Sequence, residues 1–372
     1  MTLAQRLEQA LSDHGGWLPF DAFMALALYA PGLGYYSSPR PTFGRMPGAG
    51  SDFVTAPELS PVFGHTLARQ VRQALVATGT RELWEFGAGS GALALQILQQ
   101  TSEWEKSLGA NIIEKYTIVD LSGTLRERQQ ATLAAFGDRV QWADRLPSTL
   151  HGVVLGNEVL DAMPVKLLAR VDGQWHERGV AQADGGPLAW ADRPTDLRPP
   201  LEVAGEHDYV TEIHPQAEAF VRTLAEHLVQ GAAFFIDYGF PEAEYYHPQR
   251  SMGTLACHHR HRLDDNPLLA VGEKDITAHV NFTGAALAAQ EAGLAVLGYT
   301  SQARFLINCG LAEVLAALPQ DNTGLAARSM AAKLIHEHEM GELFKVLALA
   351  PVASAQGWLP DGLAVGDRTH TL

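Results

Sequence analysis

From residue 82 onward, short apolar runs alternate with amphipathic stretches. Two of these stretches, 91–100 and 125–136, have helical spacing, and the first five runs alternate with such helices. Buried parallel strands joined by crossover helices give this pattern, so it predicts a doubly wound α/β sheet that binds ligands at the carboxyl ends of its strands. The seven candidate strands are 82–86, 116–120, 140–143, 152–156, 233–237, 295–300 and 344–349.

The segments around this core differ in pattern. Residues 1–80 are mostly helical, with a Gly/Pro-rich interruption at 31–50 in which 44–50 is expected to be a lid. Two stretches interrupt the core: 165–200 predicts an inserted hairpin, and 240–283 a long functional loop. The expected domains are therefore an extension and lid at 1–80, a core at 81–350 and a tail at 351–372.

Composition limits the classes of partner. The 372 residues include 42 Asp and Glu against 27 Lys and Arg, a net charge of −15, which disfavours a nucleic-acid partner. No apolar run is long enough for a membrane span, and no signal or transit peptide is evident. The two distant cysteines indicate a reducing cytoplasm, and the His258–His261 region lacks metal-ligand spacing, so no metal is expected.

The strongest chemical feature is a glycine turn between the first strand and its helix. Gly87, Gly89 and Gly91 allow a tight bend in which a ligand lies against backbone amides at a helix N-terminus. The same residues, with Ala92, also satisfy the dinucleotide pattern. Taken alone, the turn leaves S-adenosylmethionine and a nicotinamide or flavin cofactor open.

Acidic residues near the strand ends help to choose between these cofactors. A carboxylate at Glu85, facing the cleft, would repel a pyrophosphate and attract the ammonium group of S-adenosylmethionine. Asp120, after the second strand, can accept both ribose hydroxyls, although dinucleotide enzymes use the same chemistry. Asp144, after the third strand, can accept from the adenine amino group. Each of these acids has a solvated loop carboxylate as its structural alternative.

The fourth strand has a polar exit, 156–164, which begins Gly-Asn-Glu. By now several segments resemble the MidA family of S-adenosylmethionine-dependent methyltransferases. The resemblance covers about residues 15–350, with six motifs in the expected order. The motifs are 52–58 (DFVTAPE), 85–91 (EFGAGSG), 157–165 (NEVLDAMPV), 236–239 (IDYG), 253–255 (GTL) and 275–280 (DITAHV).

The resemblance implies a class I methyltransferase fold: a Rossmann-like, mostly parallel seven-stranded sheet with an N-terminal helical extension and inserted hairpin and lid segments. It implies that the cofactor is S-adenosylmethionine, held by the three glycines and, at its ribose, by Asp120. Thr55, Pro57 and Glu58 would close over the cofactor. Asn157 and Glu158 would line the junction with the substrate.

Mitochondrial relatives in this family methylate an arginine of a respiratory complex I subunit, which implies an arginine-bearing protein substrate. Glu158 and Asp161 are then the expected carboxylates that orient the guanidinium and receive its proton. A helix N-terminus is the structural alternative for Asn157 and Glu158. His261 and His279 stay open between substrate or proton handling and a structural role.

Two other functions stay open at this point. One is an assembly or binding factor that keeps the cofactor fold without methyl transfer, and the other is a nicotinamide-dependent oxidoreductase. A homodimer also stays open, because the sequence does not fix the oligomeric state.

Overall fold

The computed structural model describes residues 1–38, 55–120, 122–183, 186–259 and 262–372, with only the backbone of Arg262. The expected lid at 44–50, the first part of the DFVTAPE motif and His261 lie outside these residues. The chain divides into two compact units. The insertion unit comprises Met1–Phe53, Asp161–Ala219 and Phe240–Gly284, and the sheet unit comprises Val54–Leu160, Phe220–Gly239 and Ala285–Leu372.

Strands and helices are numbered along the chain over the described residues. The strands are β1 (Trp17–Pro19), β2 (Glu82–Phe86), β3 (Lys115–Val119), β4 (Val140–Ala143), β5 (Leu150–Asn157), β6 (Lys166–Val171), β7 (Gln174–Gln182), β8 (Leu188–Pro194), β9 (Tyr209–Ile213), β10 (Leu228–Phe240), β11 (Ala256–His259), β12 (Arg262–Asp264), β13 (Asp275–Thr277), β14 (Val280–Asn281), β15 (Leu294–Ser301) and β16 (Phe344–Pro351). The helices are α1 (Leu3–Asp13), α2 (Phe20–Tyr29), α3 (Ala56–Leu59), α4 (Pro61–Thr78), α5 (Ala92–Leu108), α6 (Gly123–Leu133), α7 (Pro215–His227), α8 (Glu242–Tyr245), α9 (Phe282–Glu291), α10 (Gln302–Asn308), α11 (Leu311–Ala317) and α12 (Asn322–Ile335).

The sheet unit is built on one twisted sheet with the strand order β15-β16-β10-β5-β2-β3-β4. The five strands from β10 to β4 are parallel, whereas β16 runs antiparallel to both of its neighbours. This order places β2 and β5 side by side at the centre. Their carboxyl ends, which carry the glycine turn and the polar exit, therefore lie next to each other.

All seven predicted strands are present, with boundaries that differ by a few residues. The largest difference is β10, which has 13 residues where the apolar run predicted five. Val153, Val154 and Leu155 of β5 are almost fully buried, as expected for a central parallel strand covered on both faces. The start of α4 has a standard cap, since the Ser60 hydroxyl accepts from the Val62 amide and Pro61 is the first helical residue.

The division into units differs from the expected boundary at residue 80, because α3 and α4 belong to the sheet unit. The expected tail also packs on this unit. Gly362 donates its amide to the Gln70 side chain of α4 at 2.9 Å, and Leu363 is buried among core residues. Residues beyond 351 therefore contribute to the core of the sheet unit.

The insertion unit is more regular than its sequence pattern predicted. The hairpin at 165–200 is present as β6 and β7, but these strands join β1, β8 and β9 in a five-stranded sheet. The segment 240–283, predicted to be a loop, contains α8 and a three-stranded sheet in the order β12-β11-β13. Its strands have two to four residues, which is too short for periodicity to indicate them.

Each unit has its own apolar core. In the insertion unit, Phe20, Phe23 and Met24 of α2 are completely buried against β6 and β7 residues such as Leu167 and Val180. None of the helices in the described part of the chain is both long and apolar enough to cross a bilayer.

Candidate active site

The glycine turn follows β2 and leads directly into α5. Gly87, Gly89 and Gly91 have φ values of +61°, +54° and +82°, a left-handed conformation that side chains disfavour. A Cβ on Gly87 would lie 3.1 Å from Cγ2 of Val159. The turn therefore needs glycine for its backbone conformation and also to keep open the space next to the loop after β5.

Glu85 lies in β2, and the residue is 2% exposed. The Tyr116 hydroxyl donates to its carboxylate at 2.7 Å. The sequence predicted that this carboxylate faces the cleft, and that prediction is wrong. The strand directs the side chain to Tyr116 on the neighbouring strand β3. Burial raises the pKa of Glu85 to about 7, the Tyr116 hydrogen bond opposes that rise, and the charge of Asp120 adds to it.

Replacing Glu85 with glutamine is expected to flatten the dependence of stability on pH. The folded-state pKa of about 7 exceeds the ordinary value of 4.5, so the folded chain binds this proton more tightly than the unfolded chain. The stability gained from this tighter proton binding is fully present below the unfolded-state pKa of 4.5 and is lost as pH rises through 7. The free energy of unfolding should change by about 3 kcal/mol over this range. Urea unfolding between about pH 4 and pH 8 measures it. Parallel profiles for wild type and variant, with exposed Glu114→Gln as control, would contradict this assignment.

Asp120 directly follows β3, as predicted, and Gln129 of α6 holds it. The Gln129 Nε2 donates to Asp120 Oδ2 at 2.8 Å and to the Gly89 carbonyl at 3.0 Å. Asp120 Oδ1 accepts the Ser122 amide at 2.9 Å. The carboxylate and the glycine turn are thus tied together through one buried amide. Gln129 was not expected from the sequence, because its polar position in α6 resembles any solvated helix position.

The other predicted cofactor residues have different environments. Pro57 and Glu58 lie in α3 against the start of α5: the Gln96 side chain donates to the Pro57 carbonyl at 2.7 Å, and the Ser90 hydroxyl donates to Glu58. Thr55 immediately precedes α3 and is half-buried. Asp144 is 83% exposed and pairs with Arg126. The structure therefore brings Pro57 and Glu58 to the glycine turn, while Asp144 lies on an open surface.

The loop after β5 has an unusual local structure. Glu158 has φ of +55°, a conformation that costs a non-glycine residue energy and that clusters at functional sites. The neighbouring Asn157 donates through Nδ2 to Glu158 Oε1 at 3.1 Å. Its Oδ1 is buried and has no hydrogen-bond partner among the described residues. No helix begins here, so the helix-N-terminus alternative for these two residues is wrong.

Asp237, near the end of β10, fixes this loop. Its Oδ2 accepts the amides of Val159 at 3.1 Å and Leu160 at 2.9 Å, and its Oδ1 accepts the Tyr238 amide at 2.9 Å. The residue is 1% exposed. In addition, the Glu158 amide donates to the Ile236 carbonyl at 2.9 Å. These bonds hold Glu158 in its strained conformation.

Asp161 lies in the insertion unit and is 5% exposed. Its backbone carbonyl accepts the Ala278 amide at 3.0 Å. Nearby, the Tyr36 hydroxyl donates to Asp275 at 2.7 Å. Burial, followed by the charges of Asp275 and Asp161 among other causes, raises the pKa of Tyr36 well above its usual value. This unit thus has a buried acidic and aromatic cluster that contains one of the two predicted carboxylates.

His279 belongs to the same unit and is half-buried. Its ring stacks on Phe240 with centroids 5.1 Å apart and planes 5° apart. The neighbouring His214 is 5% exposed, and burial, followed by the charge of His279, lowers its pKa to about 3. These contacts pack His279 between Phe240 and His214, and its role with the substrate stays a prediction.

The GTL motif has a structural explanation that the sequence did not indicate. Buried Glu212 accepts the amides of Thr254 at 2.8 Å and Leu255 at 3.0 Å, together with the Tyr245 hydroxyl at 2.8 Å. Gly253 has φ of +71°, and a Cβ there would lie 2.4 Å from the same carboxylate. The motif therefore wraps the backbone around one buried acid.

The sheet unit fits S-adenosylmethionine on its own geometry. The left-handed glycine turn leads directly into the N-terminus of α5, and at Gly87 it keeps open a space that a side chain would fill. Asp120 presents a fixed carboxylate at the end of the neighbouring strand, where a ribose binds in folds of this topology. These residues define a class of protein: an α/β enzyme that holds an adenosyl cofactor at the ends of β2 and β3.

Comparisons with known proteins identify the family. Residues 66–300 match the family model described as "Putative S-adenosyl-L-methionine-dependent methyltransferase". The chain belongs to this family of S-adenosylmethionine-dependent methyltransferases, which confirms the MidA resemblance. The match also decides between the cofactors that the glycine turn left open. It favours S-adenosylmethionine over a nicotinamide cofactor, so the oxidoreductase alternative is wrong.

Related proteins agree with this assignment. The Protein arginine methyltransferase NDUFAF7 homolog, mitochondrial, of Drosophila melanogaster is 29% identical over 94% of this chain and 85% of its own length. The human NDUFAF7 protein is 28% identical over 90% of this chain and 80% of its own length. A crystal structure from Burkholderia thailandensis, bound to S-adenosyl-homocysteine, is 50% identical, with a TM-score of 0.93, over 100% of this chain and 96% of its own.

Proposed function

We propose that this methyltransferase transfers its methyl group to an arginine of a protein substrate. The observation that carries the proposal is the buried Oδ1 of Asn157, which lacks a donor among the described residues and lies beside the strained Glu158. A guanidinium has five N–H donors and no acceptor, so it satisfies such a site better than a hydroxyl does. The relatives named above as protein arginine methyltransferases support the same substrate class.

S-adenosylmethionine, when bound at the glycine turn, supplies an electrophilic methyl group. The residues of the chain orient the acceptor and remove its proton. Asn157 accepts one guanidinium N–H, and the Glu158 carboxylate accepts another. These two hydrogen bonds orient one terminal nitrogen for methylation. Because arginine stays protonated below a pH of about 12, methylation must release a proton, and we assign its acceptance to Glu158. Asp161, the second carboxylate predicted for the guanidinium, belongs to the insertion unit, and its role stays a prediction.

The family resemblance makes a respiratory complex I subunit one candidate acceptor. The relatives are named as mitochondrial proteins, whereas the proposed location of this chain is the cytoplasm, on the basis of its two cysteines. Both cysteines are free and buried, as small apolar residues would be. A homodimer is compatible with this proposal but is not needed by it.

Replacing Glu158 with glutamine tests the proposal. We expect kcat for methyl transfer to fall about 100-fold, because the amide cannot accept the proton, while binding of S-adenosylhomocysteine changes less than about twofold. The assay follows labelled methyl groups into a protein extract from cells that lack this enzyme. Glu127→Gln, on the exposed face of α6, is the matched control and should keep full activity.

Full transfer by Glu158→Gln with unchanged cofactor binding would show that Glu158 is not the proton acceptor. Tight binding of S-adenosylhomocysteine by the wild type without any labelled protein would instead favour the non-catalytic assembly factor.

A further inference from the structure

A pocket of about 460 Å³ lies in the insertion unit, and its lining includes none of the residues predicted to bind the cofactor or the guanidinium. It is lined by Glu244, His247, Gln249, Arg250 and residues 251–253. Glu244 lies in α8, and the other lining residues follow α8 and end at the first residue of the GTL motif. The pocket is notable because it contains a guanidinium in a chain with a net charge of −15.

The Arg250 side chain is held in place before any ligand binds. Its Cζ lies 4.0 Å from the centroid of the Phe240 ring, which also stacks on His279. The Arg250 Nε donates to the Glu244 carbonyl at 3.2 Å. The cation–π contact and this hydrogen bond restrict the rotamers of the side chain, which lowers the entropy cost of binding.

The two terminal nitrogens of Arg250 have no acceptor in the part of the chain that the structure describes, and no ion pair there includes this residue. In contrast, Arg178 and Arg139 of the same chain each pair with a carboxylate. A fixed guanidinium with unused donors, in a pocket, is suited to an anion.

The pocket wall is also fixed. The Arg250 amide donates to the His247 carbonyl at 2.8 Å, and the Tyr209 hydroxyl donates to the same carbonyl at 3.1 Å. The Val210 amide donates to the Ser251 carbonyl at 2.8 Å. These bonds tie the pocket to β9, so its shape does not depend on a ligand.

We propose that this pocket binds the carboxylate of an acidic residue in the protein substrate, with Arg250 as the specificity-determining residue. A carboxylate matches the planar guanidinium fork. Glu244 in the lining would repel a phosphate dianion more strongly than a carboxylate monoanion. Met252, 79% exposed at the pocket, offers an apolar contact to a peptide. The inference rests on the proposed protein substrate and adds that its recognised segment is acidic.

Fluorescence polarisation of labelled peptides, with the chain saturated with S-adenosylhomocysteine, tests the proposal. The probes are Gly-Glu-Leu-Glu-Gly-Arg-Gly and its counterpart with glutamine at both acidic positions. We expect the acidic peptide to bind about tenfold more tightly, and Arg250→Gln to remove that difference. Arg193→Gln is the matched control, because Arg193 also stacks on an aromatic ring in this unit, 4.4 Å from the Trp17 centroid, and should leave binding unchanged.

Arg250→Lys is a second variant for the case that Arg250→Gln does not fold. It keeps the positive charge but lacks the planar guanidinium. We expect it to weaken binding of the acidic peptide about threefold. Equal binding of the two peptides by the wild type, or an unchanged preference in folded Arg250→Gln, would overturn the proposal. Displacement of the acidic peptide by inorganic phosphate at lower concentration than by free acidic peptide would also overturn it.

The same preparations are assayed for labelled-methyl transfer, which separates the two proposals. Equal binding of the two peptides by a wild-type protein that still methylates arginine would contradict the pocket proposal alone. Intact discrimination without arginine methylation would contradict the proposed reaction alone.

Discussion

Replacing Gly87 with valine is expected to abolish binding of S-adenosylmethionine. The residue has φ of +61°, which a β-branched residue strongly disfavours, and its new Cβ would lie 3.1 Å from Val159. The glycine turn must then move, and its amides lose their alignment at the start of α5. We expect affinity for S-adenosylhomocysteine to fall at least about 100-fold in calorimetric titration, the equivalent of about 3 kcal/mol.

Gly109→Val is the matched control for this loss. Gly109 ends the same helix with φ of +67°, and nothing lies within 4 Å of the position of its Cβ. The control should lose stability through the same backbone strain and yet bind the cofactor as the wild type does. A folded Gly87→Val protein with normal affinity would contradict the assigned cofactor site.

Asp237→Asn is expected to lower kcat about 100-fold while cofactor affinity changes less than about threefold. The carboxylate accepts amides through both oxygens, so an asparagine places N–H groups against at least one buried amide. We expect Glu158 to lose its fixed conformation and the free energy of unfolding to fall by about 1–3 kcal/mol. Labelled-methyl kinetics and urea unfolding measure the two effects.

Asp367→Asn separates positioning from stability. Asp367 lies in the same unit and also accepts a backbone amide, that of Tyr299, at 2.9 Å. The Asp367→Asn substitution should lower the free energy of unfolding without lowering kcat. If the two variants lost activity in proportion to their stability, Asp237 would have a structural role only.

The sequence predicted the features that depend on local chemistry. The glycine turn at 87–91 was identified because a left-handed backbone needs glycine, and the seven strands because buried parallel strands are continuous apolar runs. The polar exit of β5 was identified because Asn157 and Glu158 follow directly on an apolar run. Local patterning was therefore sufficient for the fold class and for the position of the glycine turn.

The sequence could not reveal contacts between distant residues. Gln129 links Gly89 to Asp120, and Glu212 organises Thr254, yet neither differs in type from ordinary polar positions. Glu85 was expected to face the ligand, but its partner is Tyr116 on the neighbouring strand, 31 positions away. The short strands of 256–281 are specified by pairing rather than by periodicity, so they were predicted as a loop.

The most direct test of the central claim is the chemical identity of the methylated residue. A protein extract from cells lacking this enzyme is incubated with the purified chain and S-adenosylmethionine carrying a labelled methyl group. The labelled proteins are then hydrolysed to amino acids. We predict labelled methylarginine with the wild type and none with Gly87→Val. Label on another amino acid, or equal methylarginine with both proteins, would contradict the account.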